Sequence, residues 1–208
     1  MKRTPLYGFA KIFLQPIFRL FVPSTFQGRE HMPQEGKVVV CANHLGLSDP
    51  IRLVISQRRQ IFFMSKEEFF KNKIIGFIFR RLGAFPVARG KGDVSAINKA
   101  GEILQRGDPL GIFIEGTRSK TGEFGPPKSG TVMIAYKNQA PILPVCITPK
   151  KGKHPKLFHK CFVSFGELIQ PEELGIVKGT GSEFRQASRL IMSRIEEMRE
   201  RDLNSLHQ

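Results

Sequence analysis

The segment Asn43-His44-Leu45-Gly46-Leu47-Ser48-Asp49-Pro50 carries the chain's clearest acid–base pair. A histidine with an unperturbed pKa of ~6.5 is mostly neutral at pH 7 and able to take a proton. A carboxylate five residues further on can turn back to accept from one ring nitrogen and leave the other as a base. Asp49 before Pro50 is also a helix start, with aspartate as N-cap and proline at the first helical position; the two uses are compatible. Other segments offer charge without a base. Gly83-Ala84-Phe85-Pro86-Val87-Ala88-Arg89, followed by Gly90-Lys91, ends an extended run in cations. A guanidinium fits a phosphate through parallel hydrogen bonds, although the same residues would serve as a solvated basic turn. In Gly111-Ile112-Phe113-Ile114-Glu115-Gly116-Thr117-Arg118-Ser119 an apolar run breaks directly into polar groups. There Gly116 permits close backbone approach, Glu115 can contact hydroxyls and Arg118 a phosphate. The segment lacks the GxxxxGK[ST] spacing of a nucleotide-binding loop. Cys41, three residues before His44, is the alternative nucleophile. It shares with Cys146 and Cys161 an apolar setting in which buried, reduced thiols are ordinary. Without CxxC spacing, neither a disulfide framework nor a metal site is expected.

These residues need strands and helices to hold them. Val38–Ala42 is a short β-rich run, and residues 50–57 read as a helix. Ile61–Met64 follows as a strand, residues 67–81 as one helix, and residues 84–88 as extended chain. Asp93 to Gln105 is an amphipathic helix in which Val94, Ile97, Ala100, Ile103 and Leu104 share a face, with Asp93 as N-cap. Strands at 110–114, 142–148 and 161–165 alternate with a short helix at 131–138. A final helix opens on Thr180-Gly181-Ser182-Glu183, a capping-box spacing, and runs to about Leu203. The pattern predicts an α/β fold: one domain with a central mixed, largely parallel sheet flanked by helices.

The chain has 208 residues with 33 Lys or Arg against 18 Asp or Glu, a formal charge of +15. One domain suffices for that length, and 18 Phe exclude a disordered basic tail. The charge predicts a polyanionic partner. Nucleic acid is the weakest choice, because there is no Trp, only two Tyr, and no interleaving of basic and aromatic residues. At the N-terminus Tyr7, Lys11, Gln15 and Arg19 recur every four residues as a narrow polar stripe. Phe9, Ile12, Phe13, Leu14, Ile17, Phe18, Leu20, Phe21 and Val22 cover the remainder. Residues 1–27 are therefore expected to be an amphipathic interfacial segment, with Lys11, Phe13, Ile17, Phe18, Arg19 and Phe21 meeting an anionic membrane surface. Residues 28–208 are expected to form the domain. Lys150, Lys151, Lys153, Lys156 and Lys160, with no acid among them, fit a solvated loop, anionic lipid, or an acidic carrier protein.

Four segments in order make the sequence resemble the glycerolipid acyltransferase family, which contains the bacterial lysophosphatidic acid (1-acyl-sn-glycerol-3-phosphate) acyltransferases. Asn43–Asp49 matches its NHxxxxD motif, Gly83–Arg89 its GxxxxxR motif, Phe113–Ser119 its FPEGTRS motif, and Pro141–Val145 its short proline-containing apolar motif. Lys66 and Lys128-Ser129-Gly130 also stand where that family often has lysine. Ile114 departs from the usual proline. The resemblance implies transfer of a fatty acyl group from an acyl thioester to the sn-2 hydroxyl of 1-acylglycerol-3-phosphate. Glycerol-3-phosphate or another lysolipid is the alternative acceptor. His44 would be the general base and Asp49 its orienting partner. Arg89, Glu115, Gly116, Thr117 and Arg118, supported by Lys66 and Lys91, would form the acceptor and phosphate site. Acyl-CoA or acyl carrier protein would serve as co-substrate, with no metal or other cofactor. The implied location is the cytoplasmic face of the cell membrane, as a peripheral or monotopic protein.

Overall fold

The computed structural model describes residues 15–81, 83–87 and 94–206. Its strands are β1 (Ser24–Gln27), β2 (Val38–Ala42), β3 (Phe62–Lys66), β4 (Ala84–Val87), β5 (Pro109–Phe113), β6 (Ile142–Pro149) and β7 (Cys161–Phe165). They form one seven-stranded sheet in the order β1-β7-β6-β2-β5-β3-β4. Every neighbouring pair is parallel except β6 with β7. The α-helices are α1 (Asp49–Ser56), α2 (Lys73–Arg81), α3 (Val94–Gln105), α4 (Gly130–Lys137) and α5 (Gly181–Asn204); residues 15–21 are helical as well. The expected α/β architecture with a mixed, mostly parallel sheet is the one found.

A parallel sheet is covered on both faces, so its central strands read as unbroken apolar runs. β2, Val-Val-Val-Cys-Ala, is wholly buried. Its alternation divides the core. Val39 and Cys41 join Ile103, Leu104, Ala135, Ile191 and Ile195 from α3, α4 and α5 on one face. Val38, Val40 and Ala42 join Leu53 of α1 on the other. The capping box at Thr180 is present: Glu183 N–H donates to the Thr180 hydroxyl, and Thr180 N–H to the Glu183 carboxylate.

The sequence reading needs correction at three places. The expected boundary at residue 27 falls inside the sheet, because Ser24–Gln27 pair with β7 in register Ser24↔Cys161 to Gln27↔Ser164. The single helix expected over 67–81 is two elements, a 3-10 turn at Glu67–Phe70 and then α2. Asn72 causes the break: its Oδ1 accepts from Ile74 N–H at 3.0 Å, which satisfies a free donor of the first turn of a new helix. Asp49, expected as N-cap, is instead the first helical residue after Ser48, with Pro50 second, because its carboxylate turns back to the Leu45 and Gly46 amides and not toward the helix; the proposed N-cap Asp93 lies outside the described residues.

Candidate active site

β2 and β5 are parallel neighbours with Ala42 opposite Phe113. Each chain therefore leaves the sheet at the same level, and His44 and Glu115 stand side by side just beyond it. β6 lies on the other side of β2, so the strand order reverses here, where an open α/β sheet forms its crevice. Asn43 fixes the exit. Its side chain donates to Ile147 O at 3.1 Å and accepts from Ile147 N–H at 2.8 Å, clamping the end of β2 to β6.

His44 Nδ1 lies 2.9 Å from Asp49 Oδ2. The same oxygen accepts from Leu45 N–H at 2.6 Å and Gly46 N–H at 2.7 Å. Asp49 is fully buried, and its Oδ1 has no partner among the described residues. Three donors thus converge on one oxygen. A carboxylate oxygen only accepts, so in the neutral imidazole Nδ1 carries the proton and Nε2 the lone pair. The His44 ring keeps 13% of its surface exposed. It stacks on Phe113 with centroids 3.9 Å apart and planes 14° from parallel. Phe113 packs in turn against Phe63 at 6.1 Å. Phe63 lies over Gly111, where an added Cβ would come within 2.2 Å of its ring; glycine is required there. The Leu45 and Gly46 amides, natural candidates for an oxyanion site, are already engaged by Asp49.

Glu115 is buried. Its Oε1 accepts from His44 N–H at 2.9 Å and its Oε2 from Gly125 N–H at 2.8 Å. The carboxylate thus holds the loop of 115–125 to the histidine's backbone. Ser119 N–H adds a bond to His44 O at 2.8 Å. Gly116 turns the chain at φ +71, a conformation glycine adopts without strain. Thr117 and Arg118 are exposed at the tip of that turn, and Lys66 is exposed at the end of β3. Arg89 and Lys91 lie outside the described residues. Ile114, in place of the family's proline, donates its N–H to Ala42 O at 2.9 Å and is fully buried, so it extends the β2–β5 ladder by one bond.

Sequence reasoning placed Gly111 and Phe113 in a candidate segment but gave neither a role, nor any to Gly125. It also missed His154, whose Nδ1 lies 3.2 Å from Leu45 O. Of the expected membrane residues, Ile17, Arg19 and Phe21 are exposed and Phe18 is half-buried, while Lys11 and Phe13 are outside the described residues. The polar stripe faces inward at one point, since Gln15 donates to Ile55 O of α1 at 3.3 Å. No helix among the described residues is long and apolar enough to cross a membrane. Cys41 is fully buried and burial pushes its thiol far up, which removes the alternative thiol nucleophile.

The family model described as Acyltransferase matches residues 23–148, from just before β1 to the end of β6. The chain belongs to this acyltransferase family. It is 35% identical over 157 residues to the 1-acyl-sn-glycerol-3-phosphate acyltransferase of Bacillus subtilis, covering 74% of this chain and 77% of that one. A chloroplastic protein of the same name from Brassica napus is 30% identical over 141 residues, of which this chain spans 41% of the length. The crystal structure of the 1-acyl-sn-glycerophosphate acyltransferase PlsC from Thermotoga maritima superposes with a TM-score of 0.72 at 28% identity, covering 94% of this chain and 80% of that one. Two of the motifs coincide with the sheet's reversal point, since Asn43–Asp49 and Phe113–Ser119 lie at or beyond the carboxyl ends of β2 and β5; Pro141–Val145 leads into β6, and the described part of Gly83–Arg89 leads into the edge strand β4.

Proposed function

We propose that this acyltransferase moves a fatty acyl group from an acyl thioester to the sn-2 hydroxyl of 1-acylglycerol-3-phosphate, yielding phosphatidic acid for phospholipid synthesis. The observation that carries the reading is the Asp49 oxygen that gathers His44 Nδ1 and two backbone amides. It supports the neutral tautomer in which Nε2 is free to act as a base. Nε2 takes the hydroxyl proton as the oxygen attacks the thioester carbonyl, and Asp49 stabilises the imidazolium so formed. The Phe113 ring against the imidazole adds a π face to that cation. The thiolate leaves and recovers a proton from His44, so the histidine returns to its starting form. Arg118 and Lys66, with Arg89 and Lys91 from the sequence, are the proposed phosphate contacts. The names carried by the relatives support 1-acylglycerol-3-phosphate as acceptor.

Purified enzyme should be assayed on 1-acylglycerol-3-phosphate, glycerol-3-phosphate and a neutral lysolipid, each with acyl-CoA and with acyl carrier protein. The expected preference is the first acceptor. A glycerol-3-phosphate preference would support the alternative. His44→Ala should lower kcat by ~100–10,000-fold with the fold intact; an unchanged kcat would remove His44 from the reaction. The exposed Ile17, Leu20 and Phe21 are the proposed contact of the N-terminal helical segment with a membrane interface.

A further inference from the structure

β6 and β7 are antiparallel neighbours, a pairing that two to five residues commonly close. Here the connection runs from Lys150 to Lys160, and length beyond need is often functional. Its tip exposes two large apolar side chains, Leu157 at 57% and Phe158 at 60%. Phe158 is held at φ +62, a left-handed conformation that an aromatic residue rarely takes. Its N–H donates to Phe21 O at 2.8 Å, and its ring meets the Phe21 ring at 5.1 Å. The tip therefore continues the exposed apolar surface of Ile17, Leu20 and Phe21 on the helical segment 15–21.

Charge accompanies it. Lys151, Lys156 and Lys160 are exposed, and none of them is in an ion pair among the described residues. Lys153 does pair, with Glu123 at 3.4 Å. The other end of the loop grips the catalytic turn. His154 Nδ1 donates to Leu45 O. Pro155 packs on Gly46, where an added Cβ would come within 3.4 Å of its ring. Leu47, the next residue, is 72% exposed. Arg52 of α1 closes the unit: it is fully buried and reaches Pro23 O and the Ser24 hydroxyl at 2.8 Å and His159 O at 3.4 Å. Helical segment, loop and His44 turn are thus bound together.

We propose that the β6–β7 loop is a second membrane-docking element, resting on the membrane-facing reading of residues 15–21. Leu157 and Phe158 enter the interface of an anionic bilayer, and Lys151, Lys156 and Lys160 meet its headgroups. The loop's grip on Leu45 and Gly46 then holds the His44 turn at the surface where a lipid acceptor lies. An acidic carrier protein would match the lysines, but it gives the exposed Leu-Phe tip, continuous with an apolar helix, nothing to enter.

The test uses the full chain, with neutral phosphatidylcholine vesicles and vesicles containing anionic phosphatidylglycerol, sedimented without substrate. Phe158→Asn relaxes the left-handed backbone, so loss of fold does not confound it. Combined with Leu157→Ser it should weaken partitioning to both vesicles, by about tenfold per side chain. The triple change of Lys151, Lys156 and Lys160 to Gln should cost about fivefold per lysine on anionic vesicles and little on neutral ones. Turnover of a water-soluble short-chain acceptor should stay normal in both variants. Unchanged partitioning of the variants would overturn the proposal, as would wild-type protein that binds neither vesicle. Loss of carrier-protein affinity with normal vesicle partitioning would reassign the loop to the carrier. Because binding is read without turnover, a wrong acceptor assignment leaves this result standing.

Discussion

In the proposed reaction the chemistry at His44 rests on one acceptor atom. Asp49 Oδ2 takes hydrogen bonds from the ring and from two backbone amides, so a single side chain both shapes the turn and sets the tautomer. Asp49→Asn separates these tasks. The amide oxygen can still accept from Leu45 and Gly46, and the helix loses no cap, because it starts after Ser48 and takes no bond from the Asp49 side chain. What is lost is the charge facing the imidazolium, and with it the constraint that no donor points at Nδ1. We expect the variant to melt within a few degrees of wild type while kcat falls by up to about 10⁴-fold, the scale seen when a triad aspartate is amidated. Thermal melting and steady-state kinetics on the same preparation decide it. Normal activity would leave Asp49 with the shaping of the turn alone. The pairing was legible in the sequence because both partners lie on one turn. The bond from His44 N–H to Glu115 was not, since it joins residues 71 positions apart and depends on the β2–β5 register.

The elements around the site are held by interactions of the same long range. Asp202 of α5 is buried against the sheet, where its carboxylate accepts from the Thr148 hydroxyl of β6 at 2.7 Å and the Ser164 hydroxyl of β7 at 2.6 Å. Burial raises its pKa, although both hydroxyls and the nearby Arg201 and Lys150 pull the other way. A carboxyl whose folded pKa exceeds its unfolded value, ~3.9, binds its proton more tightly when folded. Its contribution to stability is therefore full below the unfolded pKa and declines as pH rises through the folded one. Subtracting the urea stability of Asp202→Asn from that of wild type should give a difference that falls between about pH 3 and neutrality. A flat or rising difference would contradict the assignment. The sequence showed α5 as an amphipathic helix with its capping box, but nothing in it marked Asp202 as the inward polar residue. β1 was invisible for a related reason. Ser24–Gln27 holds one large apolar residue, Phe26, and becomes a strand only because β7 lies beside it, as short edge strands often do. The apolar runs of β2 and β6 needed no such partner to be read.

Across the whole molecule the charge of +15 resolves into groups with separate placements. Some cations are internal fixtures: Arg59 donates to the carbonyls of Pro33, Gly36 and Gly107, and Arg52 is fully buried. Others stand free on the proposed membrane face beside an apolar surface formed by the helical segment 15–21 and the β6–β7 tip. Composition alone pointed to any polyanion; the placement of exposed Leu and Phe among unpaired lysines favours lipid. Two forces should then hold the protein to a bilayer, and salt separates them. Exposed charges are screened over about 10 Å at 0.1 M salt and about 3 Å at 1 M, whereas burial of apolar surface survives high salt. Partitioning onto anionic vesicles should fall steeply across that range and level off at the value measured on neutral vesicles. The Leu157→Ser/Phe158→Asn variant should lower the plateau and leave the salt slope unchanged, and the lysine-to-glutamine variant should flatten the slope and leave the plateau. A plateau of zero for wild type would mean that charge alone does the binding, and that the apolar tip faces something other than lipid.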